Sequence, residues 1–493
     1  MRKACTAMPR LPCPAVSRNL SEAWLSLKPS MPKSSEVSGI IIDMRGKQVR
    51  LCVLLVLGTM LLLTVSCSID ENQALVLSTS DSVVSSDSKR CLECHTKKTP
   101  GIVSSWDGSG HSEAGVGCAE CHFADEGDVD GFEHFDAFIS TIVSPTDCAE
   151  CHALEADQFI NSHHAKAGEV LGSLDNFLGE VVEGPSASVN GCQQCHGSFV
   201  KVADDGKLSA DTWPNFGIGR VNPDGSTGSC AACHSRHDFS LAQARAPETC
   251  GRCHLGPDHP QMEVYEESKH NIAYRSHTEE MNMDSPSWVL GRDYSAAPTC
   301  ATCHVSATVN QGRTHDIGKR LSWNIRAPVS FKTEDSDAKR KSMQEVCMNC
   351  HSPQYVENFY QQYDAGINLY NDKFAVPGQE MMTQLTEAGL LDDIPFNEKM
   401  DWTWFYLWHH EGRRARNGLA MMGPDYVQWH GFYDIAERFY MELIPEAEEL
   451  LPGVSKDILS RPEHKWFTTP LSSRERETIS DYYGEYEDAA GES

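Results

Sequence analysis

Three things are scarce in this chain of 493 residues: basic charge, long apolar runs, and cysteines outside one repeated pattern. Lys and Arg number 42 against 70 Asp and Glu, a formal charge of −28. So acidic a surface repels nucleic acid and anionic lipid head groups, and no nucleic-acid partner is expected. The strongest apolar run, Leu51 to Val65, is shorter than the roughly 18 to 20 residues needed to span a bilayer. Of 20 cysteines, all but Cys5, Cys13, Cys52 and Cys67 fall inside the repeated pattern, so the body of the protein needs no disulfide framework.

The pattern is Cys-x-x-Cys-His, and it occurs eight times. It joins Cys91 and Cys94 to His95, Cys118 and Cys121 to His122, Cys148 and Cys151 to His152, Cys192 and Cys195 to His196, Cys230 and Cys233 to His234, Cys250 and Cys253 to His254, Cys300 and Cys303 to His304, and Cys347 and Cys350 to His351. Each copy offers two thiols for the vinyl groups of a haem and a histidine for its iron. A zinc site or a thioredoxin-type pair would not require the histidine that follows every second cysteine. The chain therefore reads as an octahaem c-type cytochrome, with eight covalently bound haems and a role in moving electrons.

Export is expected, since c-type haems are attached outside the cytoplasm. Arg45, Lys47 and Arg50 precede the apolar run, which ends in Ser66 and Cys67 before a polar stretch, the form of a signal peptide. Met44 then reads as the true start and residues 1–43 as an over-called beginning. A retained membrane anchor is an alternative, and Leu63 to Cys67 is a loose lipobox that would put a lipid anchor on Cys67. Without residues 1–67, 33 basic residues face 67 acidic ones, a formal charge of −34. Such a periplasmic surface would steer a basic c-type cytochrome toward it, although acidity also simply serves solubility.

Beyond the signal, residues 68–90 are Ser- and Asp-rich and read as a flexible lead-in. Residues 91–355 carry all eight motifs about 37 residues apart, with few long amphipathic patterns. With so little chain per haem, the porphyrins should form the hydrophobic core, wrapped by loops and short helices, with each motif at or within a helical turn. Residues 356–450 read as about three long helices that also make oligomer contacts. There Phe432, Ile435, Phe439, Leu443 and Leu450 keep a helical period. Residues 451–493 read as an acidic tail. The expected fold class is mainly α, a multihaem cytochrome c fold with little or no β.

Function turns on the sixth ligand of each iron, because an iron with histidine on both faces can only pass electrons. Thirteen histidines lie outside the motifs: His111, His134, His163, His164, His237, His259, His270, His277, His315, His409, His410, His430 and His464. That number suffices to close every haem, or to close seven and leave one open. The expected distal ligands are His111, His163, His237, His270, His315 and His430, with a seventh among His134, His164 and His277. His409 or His410 could ligate iron or pair with Glu411 or a propionate. Arg413, Arg414 and Arg416 suit propionates through charge-assisted hydrogen bonds.

Four stretches carry a resemblance: CAACHSRHDFS, CGRCHLGPDHPQMEVYEESKHN, CATCHVSATVNQGRTHDIGKRLSWN and WTWFYLWHHEGRRARNGLAMMGPDYVQWHGFYD. Over about residues 91 to 450 the chain resembles the octahaem hydroxylamine oxidoreductase family, with its hydrazine-oxidising and nitrite-reducing relatives. The resemblance implies a homotrimer whose catalytic haem is the fourth in chain order, held by Cys192, Cys195 and His196. It also implies that Asp258 and His259 line the open face of that haem. In oxidative members a tyrosine from a neighbouring subunit is bonded to it, which points to Tyr426, with Tyr433 as second choice.

Chemistry of the residues agrees with those roles. Oxidising hydroxylamine releases protons with electrons, and His259 suits a base at the iron, with Asp258 to orient it or share the proton. The plainer alternatives are a solvated Asp-His loop, a histidine ligating a neighbouring iron, and Tyr426 packed beside Trp429 and Met421. The favoured function is a hydroxylamine oxidoreductase feeding a cytochrome through bis-His haems. Hydrazine oxidation, reduction of nitrite or hydroxylamine to ammonia, and a purely electron-carrying cytochrome with all irons closed are the other readings.

Overall fold

The computed structural model describes residues 84–170, 177–203 and 206–481. The expected start at Met44, the export signal and Cys67 lie outside the described residues. The fold is mainly α. Strand is confined, among the described residues, to three two-stranded pieces: Gly131–His134 with Ala137–Ser140, Val289–Leu290 with Ala307–Thr308, and Trp323–Asn324 with Phe331–Lys332.

The motifs begin or lie within short helical turns. The first is carried by helix α1, Ser86–Lys98, whose N-terminus is capped by the Ser85 hydroxyl accepting from the Ser88 amide. The helix starts inside the stretch read as a flexible lead-in, so residues 86–90 are ordered by it. The Cys192–His196 and Cys300–His304 motifs are each a single helical turn. A further short helix, α2, spans Gln261–Glu267 just beyond the sixth motif.

Longer helices follow the seventh motif. Helix α3, Ser336–Cys347, delivers Cys347 at its end, and α4, Pro353–Tyr370, follows directly. Ser352 caps α4 by accepting from the Tyr355 amide at 3.3 Å, and Pro353 sits where its missing N–H costs nothing. Val356, Tyr360, Tyr363, Ile367 and Tyr370 form its buried face. The chain continues through α5 (Val376–Glu387), α6 (Lys399–Phe405), α7 (Gly412–Met421), α8 (Pro424–Val427), α9 (Asp434–Arg438) and α10 (Ile444–Leu450).

Wide π turns splice these pieces into three long rods, 353–387, 399–421 and 424–450. Pro377 and Pro445 each lack an amide and would strike the carbonyl four residues back. Each lies two residues past a π turn, 371–375 and 439–443, where the wider coil makes room.

One large side-chain core joins the rods. Tyr370, Met381, Leu385, Leu407, Ala415, Ile435, Phe439 and Leu443 are fully buried in it. Leu450 departs from the expected stripe and is exposed: the helix ends there, and Ala447 takes the buried position. The stretch read as an acidic tail also differs, since Val454, Ile458 and His464 are buried in the same region. His464 is tied to the Tyr440 hydroxyl through Nδ1 at 2.8 Å and stacks on Phe439.

Candidate haem core and substrate site

A cavity of about 3480 Å³ runs through the region of the motifs and is lined by cysteines of every motif from the second to the eighth. Among the described residues the sixteen motif cysteines form no disulfide. Their mutual contacts order the motifs in space. Cys91 lies on Cys118, Cys121 beside Cys148, and Cys148 hydrogen-bonds Cys230. Cys233 adjoins Cys250 and Cys253, Cys250 hydrogen-bonds Cys300, and Cys303 adjoins Cys347. Cys195 hydrogen-bonds Cys253. The motifs thus run first, second, third, fifth, sixth, seventh, eighth, and the fourth branches off at the sixth.

Histidines test whether this cavity fits haem. Two imidazoles on one iron should have ring centres about 6.4 Å apart, given metal–nitrogen bonds of about 2 Å and about 1.2 Å from nitrogen to ring centre. His95 and His134 are 6.2 Å apart, His152 and His111 6.2 Å, His122 and His237 6.4 Å, His254 and His164 6.0 Å, and His351 and His270 6.1 Å. On the motif side, Nδ1 is taken by Thr99 Oγ1 at His95, the Ser140 carbonyl at His122, the Ala167 carbonyl at His196, Gln261 Oε1 at His254 and the Ile317 carbonyl at His304. That leaves Nε2 for the metal. Burial pushes the His254 ring down to about 4 and His164 to about 3, so both stay neutral, the form that ligates iron. The residues fit c-type haem.

Of the expected distal ligands, the structure brings His111, His237 and His270 to motif histidines. His315 lies beside His234. His163 sits against Gly318, next to the Ile317 carbonyl that holds His304. Two of the three alternatives for the seventh place, His134 and His164, face motif histidines, whereas His277 faces Glu280 at the surface. His430 differs from the expectation. Its half-exposed ring is 3.4 Å from Asp425 and 5.7 Å from the Tyr426 ring, because the 428–433 turn points it outward.

Asp258 and His259 lie in the loop between the sixth motif and α2, and both line the large cavity, which the fourth motif also lines; the His259 ring centre is 6.1 Å from that of His254, as close as His164. Asp258 Oδ2 is 3.5 Å from His259 Nε2, 3.4 Å from Arg413 Nη1 and 3.9 Å from His409 Nε2. Arg413 is 3.0 Å from His409 Nε2 and donates to the Arg326 carbonyl at 3.0 Å, while its guanidinium lies over Trp408. His409 stacks on Phe405 with ring centres 4.1 Å apart. Gln261 also donates to Asn417 at 3.2 Å, tying the His254 imidazole to α7. The cluster couples an acid, two imidazoles and a guanidinium, which can orient a small polar molecule and move protons.

His409 and Arg413 enter this cluster from a π turn, 406–411, and the first turn of α7. They are four residues apart, the spacing that places two side chains on one helical face. That spacing, with Asp258-His259 elsewhere in the chain, is the signal that could have found them. The expectation of three propionate arginines is corrected by the same helical geometry, which turns each residue about 100° from the last. Only Arg413 lines the large cavity. Arg414 reaches Asp434 at 3.3 Å. Arg416 is fully buried and donates to the carbonyls of Gly412, Ala327 and Trp408 and to Ser330, a tie within the protein. Glu411 pairs with Arg438 at 2.6 Å, and burial pushes its carboxyl up to about 7.

Tyr426 stands at α8 among Glu263, Glu267, Asp425 and Arg414, with burial raising its phenol. Tyr433 is exposed and packs on Trp429, ring centres 5.5 Å apart. In the single chain neither is part of the Asp258 cluster contacts described above.

Residues 224–397 match the family described as seven times multi-haem cytochrome CxxCH, and residues 66–123 match cytochrome c554 and c-prime. A probable nitrite reductase-hydroxylamine oxidoreductase fusion protein of Kuenenia stuttgartiensis is 27% identical over 329 residues, covering 54% of this chain and 34% of that protein. The chain thus spans about a third of the length of that curated relative. Among solved structures, a hypothetical multiheme protein superposes with a TM-score of 0.66 at 27% identity, over 75% of this chain and 95% of the other. A reducing HAO-like protein complex of Kuenenia stuttgartiensis gives a TM-score of 0.56 at 21% identity, over 76% and 87%. With the cavity, the thiol contacts and the facing imidazoles, these matches define the class: the chain is a multihaem c-type cytochrome, a redox protein with covalently bound haems. Within that class its fold is that of the HAO-like multihaem proteins.

Proposed function

We propose that the protein is a periplasmic octahaem oxidoreductase that oxidises hydroxylamine at the haem of Cys192, Cys195 and His196 and passes the electrons to a cytochrome. The observation that carries this reading is the convergence of Asp258, His259, His409 and Arg413 on a cavity that Cys192, Cys195 and His196 also line. When bound there, the haem supplies an iron that can take a small nitrogenous substrate and accept its electrons. Each electron removed from hydroxylamine releases a proton, so the chain must hold a base at the substrate N–H and O–H. His259 fills that role, with Asp258 beside its Nε2 to orient the ring or take the proton onward. Arg413 fixes the Asp258 carboxylate from the other side. Electrons then enter the motif order at the sixth motif, which adjoins the fourth through Cys253 and Cys195.

The assembly in this reading is a homotrimer. Met422, Trp429, Tyr433 and Met441 leave an exposed apolar strip along the 424–450 rod and its entry, the kind of surface that marks a protein contact. It carries Tyr433 and adjoins Tyr426, so a neighbour's haem edge brought to it would meet either tyrosine. A second reading, reduction of nitrite or hydroxylamine to ammonia, is favoured by Arg413, whose guanidinium on the cavity wall suits an anion.

A denaturing gel of the haem-loaded protein, stained for haem, separates the readings, together with turnover assayed in both directions. A covalent trimer that reduces a c-type cytochrome with hydroxylamine supports the first. A monomer band with nitrite consumption driven by a reduced viologen overturns it in favour of the second. Activity in neither direction overturns both and leaves an electron carrier.

A further inference from the structure

A second, smaller cavity of about 180 Å³ lies apart from the Asp258 cluster and is walled by Arg220, Arg236 and Arg252 with Phe216, Ser229 and Ser235. Arg220 forms its floor and is 2% exposed, an unusual place for a cation. Its guanidinium donates only to neutral acceptors: Asn222 Oδ1 at 2.6 Å and the carbonyls of Asn215 and Val143, each at 3.3 Å. The acids nearest to it are Asp224 and Asp130, and serine hydroxyls already engage both, Ser144 and Ser226 on the first and Ser140 on the second.

A second cation faces this one. Arg236 is the charged neighbour that, after burial itself, most disfavours the Arg220 charge. Its guanidinium is held 5.3 Å over the Phe216 ring, and Arg220 lies 5.7 Å over Trp213. Arg252 adds a third positive group and stands beside the thiols of Cys195, Cys233 and Cys253, where the fourth, fifth and sixth motifs meet. Among the described residues none of the three pairs with a carboxylate, and Arg252 hydrogen-bonds the Cys253 thiol. A buried guanidinium without a counter-charge, next to a second, is costly in general.

We infer that this pocket is an anion site for one carboxylate or small oxyanion, set against the junction of the fourth, fifth and sixth motifs. Planar guanidinium forks recognise both chemistries through paired hydrogen bonds, and the Ser229 and Ser235 hydroxyls add shorter-range donors. The anion comes either from solution, as a free oxyanion, or from the protein's own haem, as a propionate.

Arg236→Gln in the full-length, haem-loaded protein tests the inference, since its exposed side chain can be replaced without opening the Arg220 floor. Inorganic phosphate is titrated calorimetrically at fixed ionic strength, and the haem midpoint potentials are followed by spectropotentiometry. A free-anion site binds phosphate with unit stoichiometry and weakens about tenfold or more in Arg236→Gln, as expected for one charge-assisted contact. A propionate site binds no phosphate, but Arg236→Gln lowers the potential of one haem and leaves the others in place, because a cation near the iron favours its reduced form. Unchanged phosphate titrations and unchanged potentials, in protein with full haem content and wild-type circular dichroism, overturn the inference. The doubly substituted Arg236→Gln, Arg252→Gln protein must enlarge whichever effect is seen.

Discussion

Residues 91–355 and the rods of 353–450 solve the same problem, burying apolar surface, with different material. From Tyr370 to Ile458, across the rods and the turns that join and follow them, twenty buried apolar side chains form one continuous cluster. In the motif region the buried side-chain clusters are far smaller, seven residues around Trp288 and three around Trp106, and they surround a cavity of about 3480 Å³ edged by thiols and imidazoles. One region encodes its own core; the other encodes the rim of a core that arrives with the cofactor. The lesson is that local sequence pattern predicts structure where side chains pack on side chains, and predicts chemistry where they do not.

The sharpest way to break that contrast is to withhold haem. Protein made without haem attachment should lose protease resistance throughout residues 91–355, while the 353–468 helices survive longer. Limited proteolysis with mass spectrometry checks this, and uniform digestion of both regions would show that the rods also depend on the haem core. Next in size, Asp258→Asn should slow turnover by roughly 10²- to 10⁴-fold, the range for losing an acid–base partner. The spectrum of the six-coordinate haems should stay unchanged. Equal loss of spectrum and activity would place Asp258 in the scaffold.

Within the rods, Phe439→Ala should destabilise by about 3 to 5 kcal/mol, because the ring is fully buried among Phe374, Tyr440 and His464. Denaturant unfolding followed at the helical signal measures it. A loss under about 1 kcal/mol would mean that the rod core is looser than its burial implies.

The smallest effect concerns Glu411. Its folded pKa is raised, from 4.5 to about 7, so the native state binds the proton more tightly than the unfolded chain. The sign follows: this group's contribution is fully present below about pH 4.5 and is lost as pH rises through about 7. Glu411→Gln should flatten the fall in melting temperature across that window, by a few degrees at most. An unchanged slope would assign the pH dependence elsewhere.

How much was legible in the sequence follows the same division. The multihaem c-type character was legible because covalent haem attachment demands a rigid local spacing of two thiols and a histidine. About three long helices were legible, the last of them from its helical period, whereas the π turns that make room for Pro377 and Pro445 were not. Distal histidines were harder. His134 and His164 could not be ranked above His277, because partnership across an iron depends on tertiary distance and leaves no spacing rule. His430, expected as a distal ligand, lies beside Asp425 and Tyr426 in this chain. Asp258 and His259 were found as a dipeptide through resemblance, but their meeting with His409 and Arg413, some 150 residues later, belongs to the fold. Arg416 was read as a cofactor-facing cation because composition cannot say which side of a helix a residue faces.

The contact of Cys195 with Cys253 makes the fourth motif a spur on a through-line whose ends are the first and eighth motifs. In circuit terms this is a tee, not a series string. If the fourth haem is the source, as proposed above, it meets two outlets at once, so blocking either end leaves the other draining, while severing the joint at the sixth motif isolates it. Tolerance to damage should therefore be graded by position along the line, highest at the tips and absent at the joint.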